Sequence, residues 1–224
     1  MCIAVPIAAV DHGAVSQLLG SGFVAGHKAG ITAVVTSLHV IGNATSVGIV
    51  IPSHGGDCRL VQPYPSQFRW TGAEVDLVDH INDLAVLTFR GAAETALPRF
   101  IPTPNDVATG EEVVVLGYPF APLGSILETW TPGFITALGR RDMLPSVGRR
   151  ELVLSVPAHP GSSGSPVLRR STGFLCGVVR GSLALPEVLR VGQIPIGTDS
   201  SVTFATSADI IPELLETTWG LLGV

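Results

Sequence analysis

The sequence of 224 residues predicts an all-β fold with one helix near its end. Short runs of β-branched and apolar residues recur along the chain, and Gly, Pro, Asn or Asp stands between most of them. Such spacing is typical of a β-sandwich or β-barrel. The segment PRFIPTPNDVATG at 98–110 holds three prolines and little periodicity. It therefore reads as a linker between two β units.

The predicted strands are rich in Val, Ile, Thr and Phe, the residues that suit a pleated, half-buried surface. Four of them precede the linker and four follow it. In chain order they are GSGFVAG (20–26), GITAVVTS (30–37), SVGIVIP (46–52), DLAVLTF (83–89), EEVVVLGYP (111–119), ELVLSVP (151–157), GFLCGVVRG (173–181) and SVTFAT (201–206).

The predicted helix lies in SADIIPELLETTWG, residues 207–220. Ser207 is a plausible N-cap, and Ile210, Leu214 and Leu215 recur at helical spacing. Pro212 is compatible only with the first turn, because proline has no N–H to donate. We therefore expect the helix to begin just after Ser207.

Composition limits the classes of partner. Hydrophobic residues make up 46% of the chain, charged residues 14%, and the net charge is −5. This predicts a globular protein that does not bind nucleic acid, because proteins that follow a phosphate backbone are usually basic. No apolar run approaches the ~18 residues of a membrane span, so no membrane partner is expected.

Cysteine usage and the chain start bear on the compartment. The three cysteines, Cys2, Cys58 and Cys176, form no CxxC pair and make a disulfide framework improbable. The apolar start MCIAVPIAAVDHG has no basic n-region, so it does not resemble a signal peptide. Both observations predict a cytoplasmic location, with an exported mature form as the alternative.

His39 and Asp83 are candidates for a base and its orienting acid. None of the six histidines has HxxxH spacing, so no metal or cofactor is expected. His39 follows the apolar strand ITAVVTS, although any single histidine is more often a core residue. Asp83 directly precedes LAVL, which we expect to bury it; Asp76 and Asp79 compete for the same role.

The stretch HPGSSGSPVL at 159–168 holds three serines within four positions. Most Gly/Ser/Pro runs are plain surface loops. A nucleophilic serine, however, needs a histidine base, an acid that fixes the tautomer of that base, and N–H donors for the oxyanion. Small residues around such a serine would let its backbone N–H groups face the substrate.

The motifs TSLHV, NDLAVL and GSSGSPV resemble, in order and rough spacing, the TAAH, DIAL and GNSGGP signatures of chymotrypsin-like serine peptidases. Three longer stretches are similar to the HtrA (high-temperature-requirement) branch, whose protease domain the chain resembles over roughly residues 20–217. They are GSGFVAGHKAGITAVVTSLHVIGNAT, GEEVVVLGYPFAPLGSILETWTPGFITALGRR and SVTFATSADIIPELL. The GSSGSP variant also resembles bacterial glutamyl endopeptidases.

This resemblance implies two antiparallel Greek-key β-barrels with a C-terminal helix, the first within residues 1–105 and the second within 106–224. It implies a serine endopeptidase with a polypeptide substrate and an acyl-enzyme. His39 would be the base, Asp83 the orienting acid and Ser163 the nucleophile, and the N–H groups of Gly161 and Ser163 would form the oxyanion hole. Ser162 and Ser165 would replace the Asn and a Gly of the motif.

The resemblance also predicts specificity. Pro157 takes the place at the base of the S1 pocket, where an Asp would select Arg or Lys. Ala158 follows it, and Val179, Arg180 and Gly181 form the far wall. This apolar pocket would prefer small or medium aliphatic P1 residues. Two residues could change that preference: Arg180 could attract an acidic side chain, and His159 could turn inward. The GVVRGS edge could pair with an extended peptide.

Two alternatives remain from the sequence. In HtrA proteins a PDZ domain usually follows the protease, whereas this sequence stops one helix later, at Val224. One expectation is therefore a stand-alone protease. The alternative is a latent protease domain that is fused to, or associates with, a regulatory domain. A non-catalytic, peptide-binding pseudoprotease is the other alternative, although no residue of the triad is lost.

Overall fold

The computed structural model describes residues 3–51, 69–92, 97–101, 106–123, 126–144, 147–184, 189–191, 194–196 and 199–224. Six strands in the first half of the chain close into an antiparallel barrel in the order β1-β2-β3-β6-β5-β4. They are β1 (Ala4–Asp11), β2 (Ala14–Lys28), β3 (Ile31–Ser37), β4 (Ser46–Ile51), β5 (Arg69–Asp79) and β6 (Leu84–Arg90).

A second antiparallel barrel follows. Its strands are β8 (Glu112–Gly117), β9 (Thr129–Leu144), β10 (Val147–Leu154), β11 (Pro166–Arg169), β12 (Phe174–Ala184) and β15 (Asp199–Ser207). They run in the order β11-β8-β9-β10-β15-β12, and the pairing of β11 with β12 closes the barrel. The short β7 (Arg99–Phe100) lies within the predicted linker and pairs with β12 in parallel.

Short elements complete the fold. β13 (Leu189–Val191) and β14 (Ile194–Ile196) form a separate hairpin. α1 (Leu38–Ile41) is a single turn that follows β3 directly, and α2 (Ile211–Leu222) ends the chain. Leu215 and Trp219 of α2 pack into an apolar cluster with Phe23 and Val35 of the first barrel and Val178 of the second. The terminal helix thus joins the two barrels.

Each barrel interior is filled by β-branched and aliphatic side chains. Val34, Ile49 and Leu87 are buried in the first barrel, and Ile135 and Leu154 in the second. A further cluster lies between Ile3, Ala4 and Leu18 of the first barrel and Leu116 and Tyr118 of the second. The two barrels are therefore packed against each other across an apolar seam.

The fold confirms the predicted pair of antiparallel barrels and the C-terminal helix. Three long strands were not predicted: β1, β5 and β9. β1 accounts for the apolar chain start, because it pairs with β2 and β4. β5 and β9 contain Gly, Pro or charged residues and are largely half-buried or exposed. Their sequences therefore lack a clear alternation of apolar and polar residues, which is the pattern that predicts a strand.

The start of the terminal helix also differs from the prediction. A short 3₁₀ turn, Ala208–Ile210, precedes α2, and Ser207 makes no side-chain capping bond. Pro212 does lie in the first turn, where its missing N–H is tolerated. No helix in the described part of the chain is both long and apolar enough to span a membrane.

Candidate active site

The ladder between β3 and β6 brings His39 close to Asp83. Ser37, the last residue of β3, pairs with Leu84, the first residue of β6. Residues just beyond these ends are therefore neighbours, and the N–H of Leu38 donates to the carbonyl of Asp83 at 3.0 Å. One residue later, His39 stands opposite the Asp83 carboxylate, 44 residues away in the chain.

Both carboxylate oxygens of Asp83 bind His39. Oδ2 lies 2.7 Å from Nδ1 of the ring, and Oδ1 accepts the backbone N–H of the same histidine at 3.0 Å. With a carboxylate at Nδ1, the neutral ring keeps its proton there. Nε2 is then the nitrogen with a free lone pair, as a general base requires.

The expectation that Asp83 is buried was wrong, because 20% of its side chain is exposed. Its position depends on the backbone: φ of Asp83 is +55°, in the left-handed region that Asp and Asn tolerate best among non-glycine residues. Strained backbone of this kind is often found at functional sites. Here it lies at the entry to β6, beside the histidine.

The competing aspartates have other partners. Asp79 accepts hydrogen bonds from the backbone N–H groups of Ile81 and Asn82 and from the Asn82 side chain, so it shapes the turn before Asp83. Asp76 accepts a hydrogen bond from the hydroxyl of Thr88 on the adjacent strand. Of the three candidate aspartates, Asp83 alone is bonded to His39 in the part of the chain that the structure describes.

Ser163 lies in the loop between β10 and β11. Its hydroxyl donates to the carbonyl oxygen of Arg180 at 2.9 Å. Among the described residues, no hydrogen bond joins Ser163 to His39.

The N–H groups around Ser163 alternate between bonded and free. Those of Ser162, Gly164 and Ser165 donate to the carbonyls of His159, Val179 and Ser162, respectively. Within the described residues, the N–H groups of Gly161 and Ser163 donate to no protein acceptor. Gly161 has φ +99°, a conformation that favours glycine. Two unused donors that flank one bonded donor are the arrangement that an oxyanion hole needs.

Ser162 closes the loop on itself. Its hydroxyl accepts the N–H of His159 at 3.2 Å, while its own N–H donates to the His159 carbonyl at 2.9 Å. The His159 ring is exposed and stacks on Phe120, with the ring centroids 6.0 Å apart. The loop before Ser163 is therefore held by local bonds and by the segment that follows β8.

Hydroxyl groups that sequence reasoning missed connect the barrels near each candidate residue. Ser37, two residues before His39, donates to the carbonyl of Val179 at 2.9 Å. Thr206 donates to the carbonyl of Asn82, next to Asp83, at 2.9 Å. Ser21 donates to the carbonyl of Gly161 at 2.7 Å. Their one sequence signal is a small polar residue within an otherwise apolar strand.

The candidate S1 residues fall into two groups. Val179 is fully buried in the second-barrel core, and Ala158 packs against the same cluster. Pro157 is exposed, and Arg180 and Gly181 are half-buried. The guanidinium of Arg180 lies 3.0 Å from a carboxylate oxygen of Glu151 on β10. Arg180 therefore already has an acidic partner within the protein.

Burial changes the acidity of two groups, Tyr118 in the seam between the barrels and Cys176 in the core of the second barrel. It raises the pKa of the Tyr118 phenol well above its usual range, and it raises the pKa of the Cys176 thiol to about 11. Both side chains are thus neutral at physiological pH.

The residues that the structure describes contain no group of His, Cys, Asp or Glu side chains able to hold a metal ion.

The sequence over residues 20–178 matches the family model of the trypsin-like peptidase domain. The chain belongs to the trypsin-like peptidase family. This membership confirms the predicted class of enzyme, a serine endopeptidase. The matched range contains all three residues of the candidate triad, the loop around Ser163, and β12 as far as Val178.

Two curated relatives extend this result. This chain is 30% identical over 191 residues to the uncharacterised protein y4bJ of Sinorhizobium fredii, and the aligned region covers 84% of this chain and 26% of that protein. It is 29% identical over 201 residues to Protease Do-like 5, chloroplastic, of Arabidopsis thaliana, covering 86% of this chain and 54% of that protein. The chain thus spans between about a quarter and about half the length of these relatives.

Solved structures support the fold. An HtrA-type protease determined with a tripeptide aligns over 96% of this chain and 59% of its own, with a TM-score of 0.64 and 19% identity. Together with the similarity to Protease Do-like 5, this match confirms the predicted resemblance to HtrA-type proteases.

Proposed function

We propose that this domain hydrolyses peptide bonds with Ser163 as nucleophile, His39 as general base and Asp83 as the residue that orients the histidine. The observation that carries the proposal is the pair of unbonded N–H groups at Gly161 and Ser163, in the loop between β10 and β11, which we call the serine loop. A merely structural loop would bond these donors internally, because a buried N–H without a partner costs stability.

In the first half of the reaction, His39 Nε2 takes the hydroxyl proton of Ser163 as the oxygen attacks the substrate carbonyl carbon. The carbonyl π electrons move to its oxygen, which the N–H groups of Gly161 and Ser163 stabilise. Collapse of this intermediate breaks the C–N bond. The amine leaves with the proton from His39, and an acyl-enzyme remains. Water then repeats the sequence and releases the acid.

Substrate would bind along β12. Gly181 and Ser182 pair with β15 on one side, and on the other side no described strand pairs with Arg180–Ser182. An extended peptide can add to such an edge and gain main-chain hydrogen bonds. Ser163 already contacts Arg180 at this edge, so the scissile bond of an added strand would lie near the hydroxyl.

The proposed P1 preference is small to medium aliphatic. Ala158 and Val179 belong to one apolar cluster, and Pro157 offers no charge. Arg180 is engaged by Glu151, which disfavours the alternative in which it selects acidic side chains.

A latent enzyme is the second candidate. It is favoured by one observation: the Ser163 hydroxyl donates to Arg180 and not to His39. In this form the nucleophile would be activated when a peptide or a partner domain displaces that bond.

Labelling with a fluorophosphonate, followed by peptide mapping, tests both candidates. We expect the label on Ser163, and none in Ser163→Ala. Ser162→Ala and Ser165→Ala are matched controls from the same loop and should still be labelled. A latent enzyme would be labelled only when peptide is added. A protein that is never labelled, with or without peptide, would refute the proposed catalytic activity.

A further inference from the structure

Ser21 lies on β2, fully buried, where the first barrel meets the serine loop. All of its polar groups are bonded. Its N–H donates to the Ser163 carbonyl at 2.9 Å, and its carbonyl accepts the hydroxyl of Thr36 at 2.6 Å. Its hydroxyl donates to the Gly161 carbonyl at 2.7 Å and accepts the N–H of Tyr118 at 2.9 Å. One residue thus connects β3, the end of β8 and the serine loop.

The direction of these bonds is fixed. The Tyr118 N–H can only donate, so the Ser21 oxygen accepts there and its single proton points at the Gly161 carbonyl. If the Gly161–Ser162 peptide rotated, this proton would lose its acceptor inside the protein. The hydroxyl of Ser21 therefore selects one orientation of that peptide.

Ser21 binds two peptide groups of the loop, which are separated by a third peptide group between them. In the Gly161–Ser162 plane the carbonyl is bonded to Ser21 and the N–H to His159. In the Ser163–Gly164 plane the carbonyl is bonded to the N–H of Ser21 and the N–H to Val179. The unbonded N–H of Ser163 belongs to the plane between these two, and that of Gly161 to the plane before the first.

We infer that Ser21 is a positioning residue for the oxyanion hole, a role that rests on the proposed function of Ser163. It touches neither the nucleophilic oxygen nor the substrate. It acts by fixing the planes on which the orientation of the two hole donors depends. Donors that are preorganised toward the oxyanion stabilise the transition state more than the bound substrate. If the two N–H groups lose their orientation, kcat should therefore fall much more than KM rises.

The backbone of Ser21 and its hydroxyl have separable roles. A methyl group on Gly164 would overlap the Ser21 carbonyl oxygen and the Thr36 hydroxyl, so the loop lies directly against the main chain of Ser21. Ser21→Ala keeps that contact and the bond from the Ser21 N–H to Ser163. It removes only the hydroxyl bonds to Gly161 and Tyr118, so orientation is lost while the loop stays in place.

The test compares Ser21→Ala with Thr32→Val. Thr32 is also a fully buried hydroxyl residue of the first barrel, and it donates to the carbonyl of Gly91 at 2.6 Å. It lies about 16 Å along β3 from Ser37, at the other end of the strand. For Ser21→Ala we expect kcat to fall on the order of 10- to 100-fold with KM within about twofold, since one hole donor is worth about 10²- to 10³-fold. Thr32→Val should change neither constant.

A peptide aldehyde and the matching product peptide provide a second readout. The aldehyde forms a tetrahedral adduct, so its affinity for Ser21→Ala should fall by the same factor as kcat/KM, whereas the affinity for the product peptide should not change. If Ser21→Ala does not fold, Ser21→Cys keeps a weak donor and should show a smaller kcat loss of the same kind. A folded variant of either kind with kcat within twofold of the unmodified enzyme would overturn the role.

Failure of the proposed function gives a different result. If Ser163 is not the nucleophile, the unmodified protein is not labelled at Ser163 and Ser163→Ala keeps its activity, whatever Ser21→Ala does. If Ser163 is the nucleophile and Ser21 acts only through folding, labelling maps to Ser163 while Ser21→Ala loses thermal stability at normal kcat.

Discussion

The hydroxyl of Ser163 donates to the carbonyl oxygen of Arg180 at 2.9 Å. Arg180 lies at the point where β12 passes beyond its pairing with β11 and its edge becomes available. A peptide that pairs with this edge would compete for the same carbonyl. Substrate binding would then release the hydroxyl for His39, so that binding and activation of the nucleophile are coupled.

This coupling predicts how rate depends on substrate length. A tripeptide amide should have a kcat on the order of 10-fold or more above that of a single-residue amide with the same leaving group, because contacts remote from the reacting atoms lower the barrier. Steady-state kinetics on the two amides measure this directly. Equal kcat values, with a difference in KM alone, would show that the edge contributes only to binding.

Asp83→Asn tests the bond to the histidine. An amide NH₂ facing His39 Nδ1 favours the tautomer with its proton on Nε2, which can no longer accept the proton of Ser163. We expect kcat/KM to fall on the order of 10³- to 10⁴-fold while the fold is kept. Asp79→Asn is the matched control, because Asp79 shapes the preceding turn without touching His39. Similar losses in both variants would instead indicate damage to the turn.

Gly161→Ala tests the oxyanion hole through the backbone. A methyl group there would lie 2.6 Å from the Tyr118 carbonyl oxygen and 2.6 Å from Cδ of Pro122, and φ is +99°. The loop must move, so we expect kcat to fall on the order of 10²-fold or more. Gly173→Ala is a useful control, since its φ is also positive but a methyl group meets nothing within 4 Å. Normal kcat in Gly161→Ala would exclude its N–H as a hole donor.

The sequence pattern placed His39 and Asp83 beside apolar strands, and the structure brings these two residues together. The choice of Ser163 among the three serines came from the resemblance to the GNSGGP motif, and its role stays a prediction. The hydroxyl bonds of Ser21 and Thr206 were not predictable from the sequence. Ser21 and Gly161 are 140 residues apart, and their contact depends on how the barrels dock. Local periodicity carries no information about such a partner.

The same limit applies to Asp83 and Ser207. The strand pattern placed Asp83 directly before β6, but it did not predict that 20% of the side chain stays exposed while the carboxylate contacts His39. Ser is a residue type that is common at helix N-caps, yet β15 continues through Ser207 and a 3₁₀ turn follows it. At Ser207, strand pairing overrides the local preference.

Cys176 provides a test of the buried core of the second barrel. Burial raises the pKa of its thiol to about 11, so only about one molecule in a thousand carries the thiolate at pH 8, against roughly one in four for an ordinary thiol. Iodoacetamide at pH 8 should therefore leave Cys176 unmodified in the native protein and modify it in urea, as peptide mapping would show. As the pH rises toward 11, native modification should accelerate. Rapid modification at pH 8 would contradict the buried position.

The P1 preference is tested by profiling with a peptide library. Ala158 is apolar and only partly buried, and one methylene in such a pocket is worth only about 1–3 kcal/mol, so the preference for Val, Ala or Leu should be broad. Pro157→Asp provides a gain-of-function check. If this position lies at the base of the pocket, a carboxylate there should raise cleavage after Arg and Lys several-fold relative to Leu. Pro157→Asn controls for the loss of proline. A dominant P1 Arg, Lys, Asp or Glu in the unmodified enzyme would contradict the apolar pocket. An unchanged profile in Pro157→Asp would remove Pro157 from the pocket and leave Ala158 as the candidate determinant.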